Sequence, residues 1–142
     1  MKANVLTSEG KQAYVHMGSY GIGVSRLVGA IIESSHDQDG IKWPKPVAPF
    51  DVVVINLSVG NDKCDKMAIG VYNMLKTNGK DILYDDSKES AGSKLASMDL
   101  IGIPYQIIIG PRLAKVDKFE IKNRLSNEKN IVSFDRIFEF IK

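Results

Sequence analysis

The sequence predicts an α/β fold built on a mixed five-stranded sheet, and three observations predict it. Residues 51–57, Asp-Val-Val-Val-Ile-Asn-Leu, form a near-continuous apolar run, the pattern of a strand covered on both faces. Apolar runs then alternate with helical patterns, the order that parallel strands with crossover helices require. Finally, two strand-like runs follow one another across a Gly110-Pro111 turn, which adds an antiparallel pair.

Taken in order, residues 1–12 read as a hairpin-like start with Ser8-Glu9-Gly10-Lys11 as its turn, and 13–19 as a strand. A helix is expected over 24–35, because Leu27, Val28, Ile31 and Ile32 recur at helical spacing. Trp43-Pro44-Lys45-Pro46-Val47-Ala48-Pro49 carries three prolines, which forbid helix and discourage internal strand. It is read as a stiff extended connector between an N-terminal unit, 1–42, and a larger one, 50–142. After the 51–57 strand, a helix is expected over Asp62–Thr77, with Met67, Val71 and Leu75 on one stripe and Asn78-Gly79 as its stop. A short strand over 82–84 runs into Asp85-Asp86, and a helix over 93–101 closes at Gly102 and Pro104. Strands follow at Tyr105–Ile109, 118–123 and 131–132. Ser133 is expected to cap a final helix carrying Ile137, Phe138 and Ile141.

The 142 residues, 44% of them apolar, suffice for one or two small cores. A net charge of +2 gives no global basic field, so any nucleic-acid contact has to be a local patch. Cys64 is the only cysteine, which excludes an internal disulfide and a cysteine-rich zinc site and fits a reducing compartment. No apolar run approaches the roughly 20 residues of a membrane helix. The first residues lack a signal-peptide core. A soluble, cytoplasmic protein that does not enter a membrane is expected.

Three segments are candidates for chemistry. Gly18-Ser19-Tyr20-Gly21-Ile22-Gly23-Val24-Ser25-Arg26 places bare backbone and one cation where a strand is expected to enter a helix. Its spacing is neither the dinucleotide fingerprint nor a P-loop. It reads either as a packing device or as a ligand site whose Arg26 stacks on a purine or forks onto phosphate. The second runs from Asp85 and Asp86 to Lys94, between a strand and a helix, where open α/β sheets place binding loops. It reads as a solvated loop or a binding loop. Its paired aspartates suggest magnesium or acid–base work only weakly, with no histidine or nucleophile nearby. The third is Glu120-Ile121-Lys122-Asn123-Arg124, where alternation puts Glu120, Lys122 and Arg124 on one side. That is the wet face of a sheet, or a face that reads unstacked bases. His16 and His36 have no metal-ligand spacing, so no metal site is expected. Cys64 sits among charges at a helix start that could lower its pKa, with nothing to pair with it.

Together and in this order the segments resemble a known family. Residues 17–26, Met-Gly-Ser-Tyr-Gly-Ile-Gly-Val-Ser-Arg, resemble the third signature motif of class II aminoacyl-tRNA synthetases, in the bacterial prolyl form. Gly40-Ile41-Lys42-Trp43-Pro44 and Val47-Ala48-Pro49-Phe50 resemble that enzyme's passage from catalytic to anticodon-binding domain. Ser90-Ala91-Gly92-Ser93-Lys94 and Asp99-Leu100-Ile101-Gly102-Ile103-Pro104 resemble the anticodon-binding domain shared by the prolyl, threonyl, histidyl and glycyl enzymes. The resemblance implies a three-layer anticodon-binding domain over 50–142, preceded by a strand–helix remnant of the class II catalytic domain. It implies that Gly21, Gly23 and Arg26 belong to an ATP pocket. It also implies that Asp85, Asp86, Lys94, Glu120, Lys122 and Arg124 face the anticodon loop of tRNA(Pro), rather than DNA. The parent would be a homodimer using proline, ATP and Mg2+. The family's first two motifs and its proline pocket are not in this sequence. The expectation is therefore a C-terminal portion without a complete catalytic set, inactive alone and binding no cofactor. Rival readings are a non-catalytic tRNA- or nucleic-acid-binding module of the polymerase-accessory type, or another synthetase of the same subclass. A small nucleotide-dependent enzyme would need Arg26 to converge with Asp85 and Asp86.

Overall fold

A computed structural model describes residues 3–141 of the chain. Five strands form the mixed sheet: β5 (Val52–Asn56), β6 (Ile82–Asp85), β7 (Tyr105–Ile109), β8 (Phe119–Asn123) and β9 (Lys129–Val132). Their spatial order is β6-β5-β7-β8-β9, with the first three parallel and the last two added antiparallel. The predicted mixed five-stranded sheet is present.

Alternation along β5 divides the core. Val52 and Val54 face α2 (Asp62–Thr77), while Val53 and Ile55 face α3 (Ala91–Ile101), and all four are fully enclosed. The first face gathers Val71 and Leu75 of α2 with Ile107, Phe119 and Ile137. The second gathers Met98, Ile103 and Ile108. Burying one such side chain contributes about 1.5–3 kcal/mol, so the two faces together hold the three layers. Helix α2 starts where Asn61 accepts from the backbone N–H groups of Lys63 and Cys64. It ends at Asn78, whose N–H donates to the Leu75 carbonyl. Helix α3 starts at Ser90, which accepts from Ser93 N–H, and ends at Gly102 in the left-handed region with φ +80°.

Before the prolines the chain is built differently. A hairpin pairs β1 (Asn4–Leu6) with β2 (Gln12–Tyr14), and α1 (Val24–Ser34) follows with no buried residue. A second, two-residue hairpin, β3 (His36–Asp37) with β4 (Gly40–Ile41), lies against α3.

Several local expectations need correction. The strand expected over 13–19 stops at Tyr14: its partner β1 has only three residues, and beyond them one further bond runs from Val15 N–H to the Ala3 carbonyl at 3.1 Å. The β3–β4 hairpin was not anticipated, since four residues carry too little periodicity to signal it. The proline segment is not wholly extended: Lys45–Val47 makes one 3-10 turn, whose first residues need no N–H donors and so accept Pro46. A short helix α4 (Pro111–Ala114) occupies what reads as a turn. The last helix opens as a 3-10 turn at Phe134–Arg136 and continues as α5 (Ile137–Phe140). Ser133 stands at its start, but its hydroxyl donates to the Asp135 carboxylate instead of accepting from the backbone. Expectations for residues 1, 2 and 142 lie outside the described residues.

Candidate nucleic-acid interface

The parallel strands β5, β6 and β7 all deliver their carboxyl ends to one edge of the sheet. From β5 the chain crosses to β6 on one side, and from β6 it passes back over to β7 on the other. Loops therefore part at that edge, which is where open α/β sheets bind ligands. Two adjoining cavities lie there and share Leu57. One, about 370 Å³, has an apolar floor of Leu57, Ile108, Pro111 and Leu113, with Arg112 and Glu120 as its charged groups. The other, about 230 Å³, is lined by Ser58, Ser87, Lys88, Glu89 and the inner residue Lys94. Flat apolar floor and a cation beside a carboxylate are what an unstacked base and its phosphate require.

Strand β8 shows how burial sorts the charged face that alternation predicts. Side-chain exposure falls from 27% at Glu120 to 13% at Lys122 and 1% at Arg124. Glu120 stands at the cavity and pairs with Lys129 at 3.2 Å. Lys122 donates to the Asp99 carboxylate on α3. Arg124 is enclosed: Nη1 and Nη2 fork onto Asp37 at 2.8 and 2.6 Å, and Nε donates to the Asp99 carbonyl at 3.1 Å. Arg124 thereby holds Asp37 well below the usual carboxylate range, with Lys42 adding to the effect, and its own pKa rises in return.

The Asp85–Lys94 segment divides likewise. Lys94, 1% exposed, donates Nζ to the Asn56 carbonyl at 2.6 Å and lies 3.6 Å from Asp85. Asp85 accepts from Ser87 N–H, and its Oδ2 has no hydrogen-bond partner among the described residues. Asp86 is exposed beside the smaller cavity's Ser87. Lys94 ties the loops after β5 and β6 together from below, leaving Asp86, Lys88 and Glu89 outside.

Gly21, Gly23 and Arg26 stand at the start of α1, all exposed. A side chain added at Gly21 would meet nothing within 4 Å, so packing inside this chain does not require a glycine there. Among the described residues no ion pair joins Arg26 to Asp85 or Asp86. The β3–β4 hairpin following α1 packs on the carboxyl end of α3 at Leu100, while Asp85 and Asp86 precede its amino end. Those ends lie about 16 Å apart at 1.5 Å per residue. Among the described residues no three histidine, cysteine, aspartate or glutamate side chains gather to hold a metal ion. Cys64 is enclosed, and burial pushes its pKa up, with Asp65 adding to the rise, so the expected lowering does not occur.

The family model described as an anticodon binding domain matches residues 51–142. This chain belongs to the anticodon-binding domain family. Its matched region is the sheet with its three layers, and the edge cavities lie inside it. The anticodon-binding domain and the segment before it are both similar to proline–tRNA ligases. That of Rhizobium etli is 52% identical over 95% of this chain. That of Caulobacter vibrioides is 48% identical over 98% of it. The chain spans 31% of the length of each of these relatives. A crystal structure of prolyl-tRNA synthetase from Cryptosporidium parvum, complexed with L-proline and AMP, shares the fold. It has a TM-score of 0.74 at 24% identity, covering 94% of this chain and 28% of that one. Sequence reading missed Arg112; its one signal is its place directly after Gly110-Pro111, at the carboxyl end of β7. No helix among the described residues is long and apolar enough to cross a membrane.

Proposed function

We propose that this chain is the anticodon-reading part of a proline–tRNA ligase. The observation that carries the reading is the extent of the likeness: matches at 52% and 48% identity cover 95% and 98% of this chain, and so take in both the glycine–arginine segment and the anticodon-binding domain. A free-standing binding module has no use for the former. In the parent, proline would be joined to tRNA(Pro) at the expense of ATP with Mg2+, by a homodimer in the cytoplasm and without DNA as a partner. Gly21 and Gly23 would leave backbone open to the adenine, and Arg26 would hold the far phosphate. Bound ATP supplies the activation of the proline carboxylate. The residues that hold proline are not among those assigned here, so this chain alone is expected to bind and not to ligate.

At the sheet edge, Arg112 would meet phosphate, Glu120 would accept from a base amino group, and Leu57 with Pro111 would carry the base face. Asp86 and Lys88 border the next position. Lys122 would join them once drawn from Asp99, while Lys94 and Arg124 support the site from beneath. The test is a titration of the tRNA(Pro) anticodon stem-loop, and of one with a changed anticodon, at several salt concentrations. Binding should weaken with salt by a logarithmic slope of roughly −0.7 per phosphate neutralised. It should favour the proline anticodon and fall in Arg112→Ala and Glu120→Gln. Binding indifferent to both salt and anticodon would refute the reading, as would ATP–pyrophosphate exchange by the chain alone.

A further inference from the structure

The segment before the prolines meets the anticodon-binding domain along a narrow seam formed by Asp37, Gly40, Ile41 and Trp43. Trp43 donates Nε1 to the Ile101 carbonyl at 2.9 Å, and its backbone N–H faces the Gly102 carbonyl at 3.3 Å. Gly40 and Gly102 let the hairpin and α3 approach at backbone distance. Those contacts fix the hairpin's height above α3. A different group fixes its heading.

We propose that Arg124 is a positioning residue. Its fork on Asp37 and its Nε bond to the Asp99 carbonyl set the direction in which α1 leaves the anticodon-binding domain. They thereby set the place of the Gly21-Gly23-Arg26 turn relative to the Arg112–Glu120 edge. Three directed hydrogen bonds from one planar group constrain rotation in a way that apolar contact does not. Asp37 stands three residues after α1 ends, and the intervening turn is short and bonded: Ser35 N–H donates to the Ile32 carbonyl, which also contacts His36 Nδ1. Turning Asp37 therefore turns α1. At its other end Arg124 is fastened to the sheet, since its own N–H donates to the Pro104 carbonyl at 2.9 Å. Lys42 Nζ lies 3.1 Å from Asp37 and closes the pair from the solvent side. Replacing a largely buried ion pair by apolar residues of similar volume is often neutral or stabilising, so the contribution that distinguishes this pair is geometry. The contacts alone carry this orientation; only its use in ligation rests on the function proposed above.

The experiment measures orientation and RNA binding separately on the full chain. Ser25→Cys on α1 and Asn73→Cys on α2, both exposed positions, take spin labels, while enclosed Cys64 stays unlabelled in the native protein. The label-to-label distance distribution should be narrow in the otherwise unchanged chain. It should broaden severalfold in Asp37→Asn and in Arg124→Lys, whose single ammonium cannot make the fork. Amide protection of Val54 and Ile107 should persist. Asp37→Asn should also keep its affinity for the anticodon stem-loop. Unchanged distances in both variants would overturn the proposal. So would loss of core protection in Asp37→Asn, which would make the pair a support of the core. Loss of stem-loop binding in Arg124→Lys at unchanged distances would return Arg124 to base contact and likewise overturn it. A stem-loop that never binds the unsubstituted chain refutes the function proposed above, while the distances still decide Arg124.

Discussion

Gly102→Ala isolates how the seam is packed, and its cost can be worked from two glycines. Gly102 has φ +80°, and a left-handed backbone costs a residue with a side chain about 1–2 kcal/mol. A Cβ there would also overlap the Ile41 carbonyl and stand 2.9 Å from the Ile41 Cβ. Both elements are backbone-packed, so relief requires moving the hairpin, and overpacking of this kind adds typically about 1–3 kcal/mol. Gly79 supplies the control: its φ is +73°, and an added Cβ meets nothing within 4 Å. Gly79→Ala should therefore lose only the backbone part, about 1–2 kcal/mol. Gly102→Ala should lose that part plus the overlap, about 2–5 kcal/mol in sum. Detaching the hairpin caps the global loss, and that outcome has its own signature. Trp43, the single tryptophan, sits in the seam, so its fluorescence reports docking while far-UV circular dichroism reports the sheet. Urea unfolding followed by both signals is the assay. With a slope of about 2 kcal/mol per M, the overlap alone moves the midpoint by roughly 0.5–1.5 M. In Gly102→Ala the fluorescence transition should precede the dichroism transition; in Gly79→Ala the two should move together. Equal midpoint shifts in the two variants, with an unchanged Trp43 curve, would refute the reasoning.

Other outcomes follow from single residues. Asp37 faces Arg124 and Lys42, with Asp39 N–H and Asp99 nearby, and its folded pKa is depressed, chiefly by Arg124. Its contribution is therefore present above the unfolded value of about 3.9 and lost as pH falls below it. Trp43 emission should report seam opening in that acid range, and Asp37→Asn should remove much of the pH dependence; an identical acid profile would count against it. Asn61→Ala, by freeing the Lys63 and Cys64 N–H groups, should destabilise the fold by about 1 kcal/mol in chemical denaturation. Cys64 should react with a thiol reagent only as the chain unfolds, because it is enclosed and its pKa is raised; rapid native-state labelling would contradict this.

What could be read from the chain follows from where the signal is periodic. The apolar run of β5 and the Met67, Val71, Leu75 stripe of α2 each repeat long enough to announce strand and helix, and both lie in the core. The β3–β4 hairpin and α4 are too short for any period, and both are held by tertiary contact. The site was legible as a set of segments but not in its division of labour. Alternation correctly puts Glu120, Lys122 and Arg124 on one face. It says nothing of α3, which covers that face progressively from Glu120 toward Arg124 and leaves only the near end open. Lys94 and Asp86 show the same limit, since which charge turns inward depends on the Asn56 carbonyl above the loop. Arg112 went unread because one cation in a turn carries no pattern.

Asp37 and Arg124 are 87 residues apart in the chain, and this separation has a consequence in time. A ribosome adding about 5–20 residues per second completes Asp37 some 4–17 s before its partner exists. Helix α3, on which the hairpin packs, is made before Arg124, so the hairpin can seat on α3 before the ion pair that sets its heading can close. The heading of the hairpin is thus settled after its seat.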